Sequence, residues 1–223
     1  MYLLAGALGA GLNTIAQSGE SLDSSYANGY YNEQVKFFSN LHPPKNCVVF
    51  LGNSITEVGR WSELLPTGKA VNRGISGDNS WGVVNRVDQV LAVKPGKIFL
   101  MIGVNDIKRG TPIPYILANY ERIIAKVKAQ SPKTTLYLQS ILPVTESMLA
   151  AIYAKINNQT IRTLNDSLRV LAAKHQLQYI DLHNGVFTDA QGQLKKELTT
   201  DGLHLKHAAY ILWADYLKKK KYL

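Results

Sequence analysis

The chain has 223 residues, 46% hydrophobic and 18% charged, which suits one sizeable globular domain and argues against disorder. Its 25 Lys and Arg against 16 Asp and Glu give a net charge of +9, yet the cations are scattered and no nucleic-acid-binding motif accompanies them, so no nucleic-acid partner is expected. The single cysteine, Cys47, excludes an intrachain disulfide framework and a cysteine-cluster zinc site, and neither a metal nor another cofactor is called for.

The run Tyr2 to Ala16 is uncharged and rich in Leu, Ala and Gly. It is short for a membrane span and reads as the apolar part of a secretory signal with Ala16 at a cleavage site; the alternative is an N-terminal helix packed on the domain. On the first reading, residues 1–19 are a signal remnant and 20–223 a single domain, exported to the periplasm or secreted. No cysteine follows to carry a lipid, so no stable membrane anchor is expected, and a cytoplasmic location is the alternative.

A polar stretch, "SGESLDSS", leads into "YANGYYNEQVKFFSNL", an amphipathic helix stopped by Pro43-Pro44. Apolar, β-branched strands then follow at Cys47–Leu51, Ala70–Asn72, Lys97–Ile102, Thr134–Ser140 and Gln178–Asp181. Cys47, at the head of the first, reads as a buried, inert thiol.

Between the strands lie helical stripes at 3.6-residue spacing. Val83, Val84, Val87, Val90 and Leu91 make one; Ile116, Tyr120, Ile123, Ile124 and Val127 make another. A third starts at Met148, Ile152 and Ile156 and continues through Ile161, Leu164, Leu168 and Leu171. The last helix ends in Lys218–Lys221, where its dipole favours cations. His42, His175 and His183 read as surface or loop residues. Alternation at these lengths predicts an α/β fold, a mostly parallel sheet with helices on both faces and its site beyond the carboxyl ends of the strands.

Four segments carry chemistry. In "LGNSIT", Ser54 leaves a strand and enters a helix, as an N-cap or as a nucleophile held clear of the sheet. In "VNRGISGDNS", Gly77 supplies either turn geometry or an unobstructed N–H for an oxyanion. In "FLMIGVNDIKRG", Asn105 either caps a loop or offers its amide to the same oxyanion, while Asp106 reads as a structural turn residue. In "TTDGLHLKHAAY", Asp201 and His204 are spaced so that the carboxylate can meet Nδ1 and leave Nε2 to face Ser54.

Together, in this order and spacing, the four blocks resemble the SGNH, or GDSL-type, hydrolase family over roughly residues 46–217. "GNSIT" matches its first block, with Asn53 where Asp is more usual, and "RGISGD", "GVND" and "DGLH" match the other three. The resemblance implies a flavodoxin-like three-layer α/β/α sandwich around a five-stranded sheet. It also implies Ser54, Asp201 and His204 as catalytic residues, with Ser54, Gly77 and Asn105 as the oxyanion hole. Asn53, Trp61, Asp78, Asn79, Val104 and Leu203, at or near strand ends, are expected to line the substrate pocket. The flanking segments are similar to exported members that remove acetyl groups from sugars, including sialic acids, and to platelet-activating-factor acetylhydrolases. The expected function is therefore a serine esterase acting on a short acyl ester of a small molecule or glycan. The alternatives are a lipid-ester or thioester hydrolase and a catalytically silent carbohydrate-binding module.

Overall fold

The computed structural model describes residues 22–65 and 69–223, so the run Tyr2 to Ala16 and its cleavage site lie outside the described residues. The apolar runs form β1 (Val48–Gly52), β2 (Ala70–Gly74), β3 (Lys97–Met101), β4 (Thr135–Gln139) and β5 (Gln178–Ile180). They make one sheet of order β2-β1-β3-β4-β5 in which every pairing is parallel. The inner strands β1, β3 and β4, covered on both faces, need no polar alternation, which is why they read as largely hydrophobic runs.

The helices are α1 (Gly29–Ser39), α2 (Ser54–Glu57), α3 (Trp61–Leu64), α4 (Ser80–Ala92), α5 (Val104–Arg109), α6 (Ile113–Gln130), α7 (Asn158–Lys174) and α8 (His207–Lys219). Right-handed crossovers put α4, α6 and α7 on one face of the sheet, and α3 and α8 on the other. The chain runs from β1 outward to β2 and then returns across β1 to β3. The switch point of the topology thus lies between β1 and β3, where such sheets open a crevice.

On the α3–α8 face, register places Phe50, Phe99 and Tyr137 in one row across β1, β3 and β4. Their rings stack at 5.1 and 4.7 Å. Trp61 lies flat on Phe50 at 3.8 Å and meets Trp213 edge-on, while its indole N–H donates to the Thr56 carbonyl. Trp61 is 1% exposed. The expectation that it lines the pocket is therefore corrected: its ring is the cover of an aromatic stack.

Two other expectations change. The stripe from Met148 does not begin the third long helix. Glu146–Met148 and Ala151–Tyr153 are separate 3₁₀ turns, with Leu149 extended between them and Ile152 exposed. The α7 helix starts only where the Asn157 side chain accepts the Thr160 N–H. His183 is buried, not superficial, and its Nδ1 faces the Ile141 carbonyl at 3.1 Å. Cys47 is buried as expected, and burial pushes its thiol up. Among the described residues, no helix is long and apolar enough to cross a membrane.

Trp61→Ala should cost about 3–5 kcal/mol of stability, the usual range for emptying a buried aromatic site. Urea unfolding followed by circular dichroism measures it. A loss below about 1 kcal/mol would show that the stack closes without the indole.

Candidate active site

The end of β1 is clamped by close backbone approach. A Cβ on Gly52 would sit 2.4 Å from the Met101 carbonyl, and one on Gly74 would sit 2.2 Å from the Glu57 nitrogen. With these two glycines the chain turns directly from β1 into α2. Asn53 caps that helix, its Oδ1 accepting the Ile55 N–H at 3.0 Å. At the other end, the two hydrogens of Asn72 Nδ2 go to the carbonyls of Glu57 and Gly59 at 2.8 and 3.0 Å, with the Thr56 carbonyl sharing one of them at 3.2 Å. Ser54 therefore rides on a single helical turn held at both ends.

The Ser54 Oγ lies 3.1 Å from His204 Nε2, and His204 Nδ1 lies 2.7 Å from Asp201 Oδ2. The ionised carboxylate only accepts, so it fixes the proton on Nδ1 and leaves Nε2 to accept the serine hydroxyl. Asp201 Oδ1 also takes the backbone N–H groups of Leu203 and His204. Burial alone would raise the Asp201 carboxyl, but these hydrogen bonds and the imidazole charge outweigh it and hold the group below its ordinary value.

The loop bearing this pair is anchored to the segment after β4. Gly202, at φ +87°, gives its carbonyl to the Thr145 N–H, and a Cβ there would strike the Thr145 carbonyl at 2.6 Å. Thr199 Oγ1 donates to the His204 carbonyl. The post-β4 segment is fixed in turn by two buried asparagines of α7. Asn158 and Asn165 each bond both the N–H and the carbonyl of one residue, Val144 and Ile141 respectively.

Gly77 occupies a hydrogen-bonded turn closed by Asp78 N–H to the Ile75 carbonyl, with φ +80°. Its own N–H has no acceptor among the described residues, and a Cβ there would meet no atom within 4 Å. The turn is steadied by Glu57, one helical turn beyond Ser54. Its carboxylate accepts the Ser76 N–H at 2.8 Å and the hydroxyls of Ser76 and Tyr30. Asn105, on α5 beyond β3, donates one Nδ2 hydrogen to the Asp78 carbonyl at 2.9 Å, which orients the amide, and its second hydrogen has no acceptor among the described residues.

The other expected pocket residues have different tasks. Asp78 is fully buried in an ion pair with Arg86 at 2.8 Å. Asn79 caps α4 through Gly82 N–H and donates to the Ser25 carbonyl. Asn53, as the cap of α2, is 1% exposed. These three do not line a pocket, because the polar atoms that suggested binding are already satisfied by backbone or a buried charge. Val104 and Leu203 adjoin Asn105 and His204 in sequence, but their side chains pack into the main core. Ile75, in the segment before Gly77, packs against Tyr31 and Phe38.

Asp106 is wholly buried and accepts both the N–H and the Oγ–H of Ser80, the first residue of α4. It is structural, but it lies within the first turn of α5 and not in the loop turn expected from the sequence. Sequence reading missed Asn72, Glu57, Lys108 and Tyr153. The Tyr153 ring stands edge-on to the imidazole of His204, with centroids 6.5 Å apart. Spacing could have marked Glu57 and Lys108, each three residues after a candidate active residue on a helix. Nothing local marks Tyr153.

The sequence model described as GDSL-like Lipase/Acylhydrolase family matches residues 50–212. A solved structure of a candidate platelet activating factor from Streptococcus pneumonia is 35% identical, with a TM-score of 0.78 over 86% of this chain and 92% of its own. Among curated relatives, platelet-activating factor acetylhydrolase IB subunit alpha1 of Bos taurus is 23% identical over 73% of this chain and 69% of its own length. The N-acylneuraminate cytidylyltransferase of Streptococcus agalactiae is 24% identical over 61% of this chain, which spans only 32% of that protein.

Asp106 yields a pH prediction. Burial raises its carboxyl to about 6, against the lowering effect of the Ser80 hydrogen bonds. Its folded value therefore lies above its unfolded one. The stability it contributes is fully present below about pH 4 and is lost as pH rises through about 6. The gap between wild type and Asp106→Asn, measured by denaturant unfolding, should shift in the variant's favour across that window. A gap constant from pH 4 to 7 would show that Asp106 does not titrate there.

Proposed function

Because the chain belongs to the GDSL-like lipase/acylhydrolase family, an ester-hydrolysing family, we propose that it is a serine esterase that removes short acyl groups, acetyl first, from a carbohydrate alcohol. The observation that carries this reading is the continuous chain Ser54 Oγ–His204 Nε2–His204 Nδ1–Asp201, at 3.1 and 2.7 Å.

Ser54 Oγ attacks the ester carbonyl as its proton passes to His204 Nε2. The resulting imidazolium is stabilised by Asp201, which stays ionised. Negative charge collects on the carbonyl oxygen, within reach of the N–H groups of Ser54 and Gly77 and the second Asn105 amide hydrogen. Collapse breaks the bond to the alcohol oxygen, which takes the Nε2 proton and leaves as the alcohol. Water, deprotonated by the same nitrogen, then attacks the acyl-Ser54 ester, releasing the acid and restoring the hydroxyl.

Two similarities support the substrate class. One curated relative has acetylhydrolase in its name, which bears on the acyl group, and another is named for a neuraminate, which bears on the carbohydrate alone because its N-acyl group is an amide. A second reading, hydrolysis of a lipid ester, draws on the exposed Met148, beside Gly202 in the histidine loop, and on the exposed Ile152. We also propose export, on the uncharged run Tyr2 to Ala16 alone. Protein made from the full gene should then be recovered outside the cytoplasm, shortened near Ala16. An intact N-terminus by mass spectrometry in the cytoplasmic fraction would overturn that part.

Ser54→Ala should abolish turnover and fluorophosphonate labelling while leaving the thermal midpoint close to wild type. Asn105→Ala should lower kcat about 10²–10³-fold with little change in KM, the effect of losing one oxyanion donor. Full hydrolysis by the serine variant would sink the mechanism, and a change confined to KM would make Asn105 a binding residue.

Across p-nitrophenyl esters from acetyl to octanoyl, kcat/KM should fall. An apolar acyl groove gains roughly 0.8 kcal/mol per buried CH₂ and would give the opposite trend. A rise with chain length, measured below any micelle-forming concentration, would favour the lipid-ester reading.

A further inference from the structure

The α5 helix carries Asn105 in its first turn and Lys108 in its last. Three residues of helix bring a side chain back to nearly the same face, so Lys108 projects on the side of the oxyanion amide. Its Nζ lies over the Tyr153 ring, 4.9 Å from the centroid. The same ring also meets the His204 imidazole edge-on, with centroids 6.5 Å apart. Lys108 and Tyr153 are both half-buried.

The ammonium is not neutralised. Among the described residues Lys108 enters no ion pair. Asp201, the acid of this corner, directs both oxygens into the histidine loop. The next residue, Arg109, is paired with Asp23. Lys155 adds another cation by Gly110 at the end of α5, its Nζ 3.2 Å from where a Cβ on that glycine would lie. A cation held on an aromatic face keeps its position while its charge remains available to a ligand. One aromatic ring away from the His204 imidazole, such a cation raises the local concentration of negatively charged substrate and biases its orientation.

We propose that Lys108 and Tyr153 form the subsite for the leaving alcohol and select esters whose alcohol portion carries an anionic group, a carboxylate or a phosphate. This rests on the serine-esterase reading above. With a small acyl group, the variable part of the substrate lies on the alcohol side. That is also the side to which His204 returns its proton, and Tyr153 flanks that imidazole. The aromatic ring sets the distance between the ammonium and the reacting carbonyl, and the ammonium sets the sign of charge accepted there.

The test compares 3-acetoxybenzoate with its neutral methyl ester, and 3-acetoxyphenyl phosphate with the same reference. Wild type should favour an anionic ester about fivefold in kcat/KM, the scale of a partly exposed charge pair, and lose that preference as salt is added. The carboxylate and phosphate arms show which anion is preferred. Lys108→Gln should bring the ratio to about one through a higher KM for the anion, and Lys108→Glu should invert it. Lys108→Arg and Tyr153→Phe keep a cation over a ring and should retain the preference, whereas Tyr153→Leu should lose it. A wild-type ratio near one, or the wild-type ratio surviving in Lys108→Gln, would overturn the subsite and leave the esterase standing. Failure of wild type to hydrolyse any of the three esters would overturn both.

Discussion

The buried guanidinium of Arg86 is the contact on which the rest of the site depends. Its Nε bonds Asp78 at 2.8 Å, Nη1 takes the Arg73 carbonyl and Nη2 the Gly52 carbonyl, both at 2.9 Å. One side chain from α4 thereby ties the end of β1, the end of β2 and the turn that carries Gly77. The Asp78 carbonyl then holds the Asn105 amide from beyond β3. Three of the four chemical segments meet through this one ion pair.

Such a pair is costly to bury, because both charges lose water and only well-placed partners compensate. Here Asp78 is also bonded by the Asn79 N–H. Burial pushes its carboxyl up, against the pull of the Arg86 charge. A hydrophobic pair of the same volume could fill the space but could not fix three backbone segments in one register. The function of the pair is therefore geometric. It pre-places donors that would otherwise have to be ordered when the oxyanion forms, and that is where an esterase gains most.

Much of this was legible in the sequence, and the part that was not has a common cause. Parallel strands buried on both faces announce themselves as unbroken apolar runs, and the stripes of α4 and α6 show their periods, so the layers and their order follow. The four segments were visible because they occur together in one order and spacing, although each alone reads as an ordinary cap or turn. Sequence position, however, says where a backbone goes and not where a side chain points. Trp61 and Asn79 flank the right turns and face inward, one onto Phe50 and the other onto its own helix. Met148 and Ile152 keep helical spacing without a helix, because Asn157 starts α7 afresh. Tyr153 reaches His204 only through the fold, across a separation in sequence that no local pattern bridges.

Charge composition gains meaning once these placements are known. Acidic residues are few, 16 against 25 cations, and those at the strand ends are committed inward. Asp78 holds Arg86, Asp106 holds Ser80, Glu57 holds Ser76 and Tyr30, and Asp201 holds His204. Each carboxylate supports the geometry of the site, and none is left free to balance the lysines at its edge. The net charge of +9 is therefore unevenly felt. Lys108 and Lys155 lie at the end of α5, where the carbonyl end of the helix favours cations. On the subsite proposed for Lys108, the same arrangement that uses acids to orient Ser54, Gly77 and His204 would leave cations on the alcohol side of the site. In that case the sign of a ligand's charge is tested at the edge of the site as well as its shape at the hydrogen-bond donors.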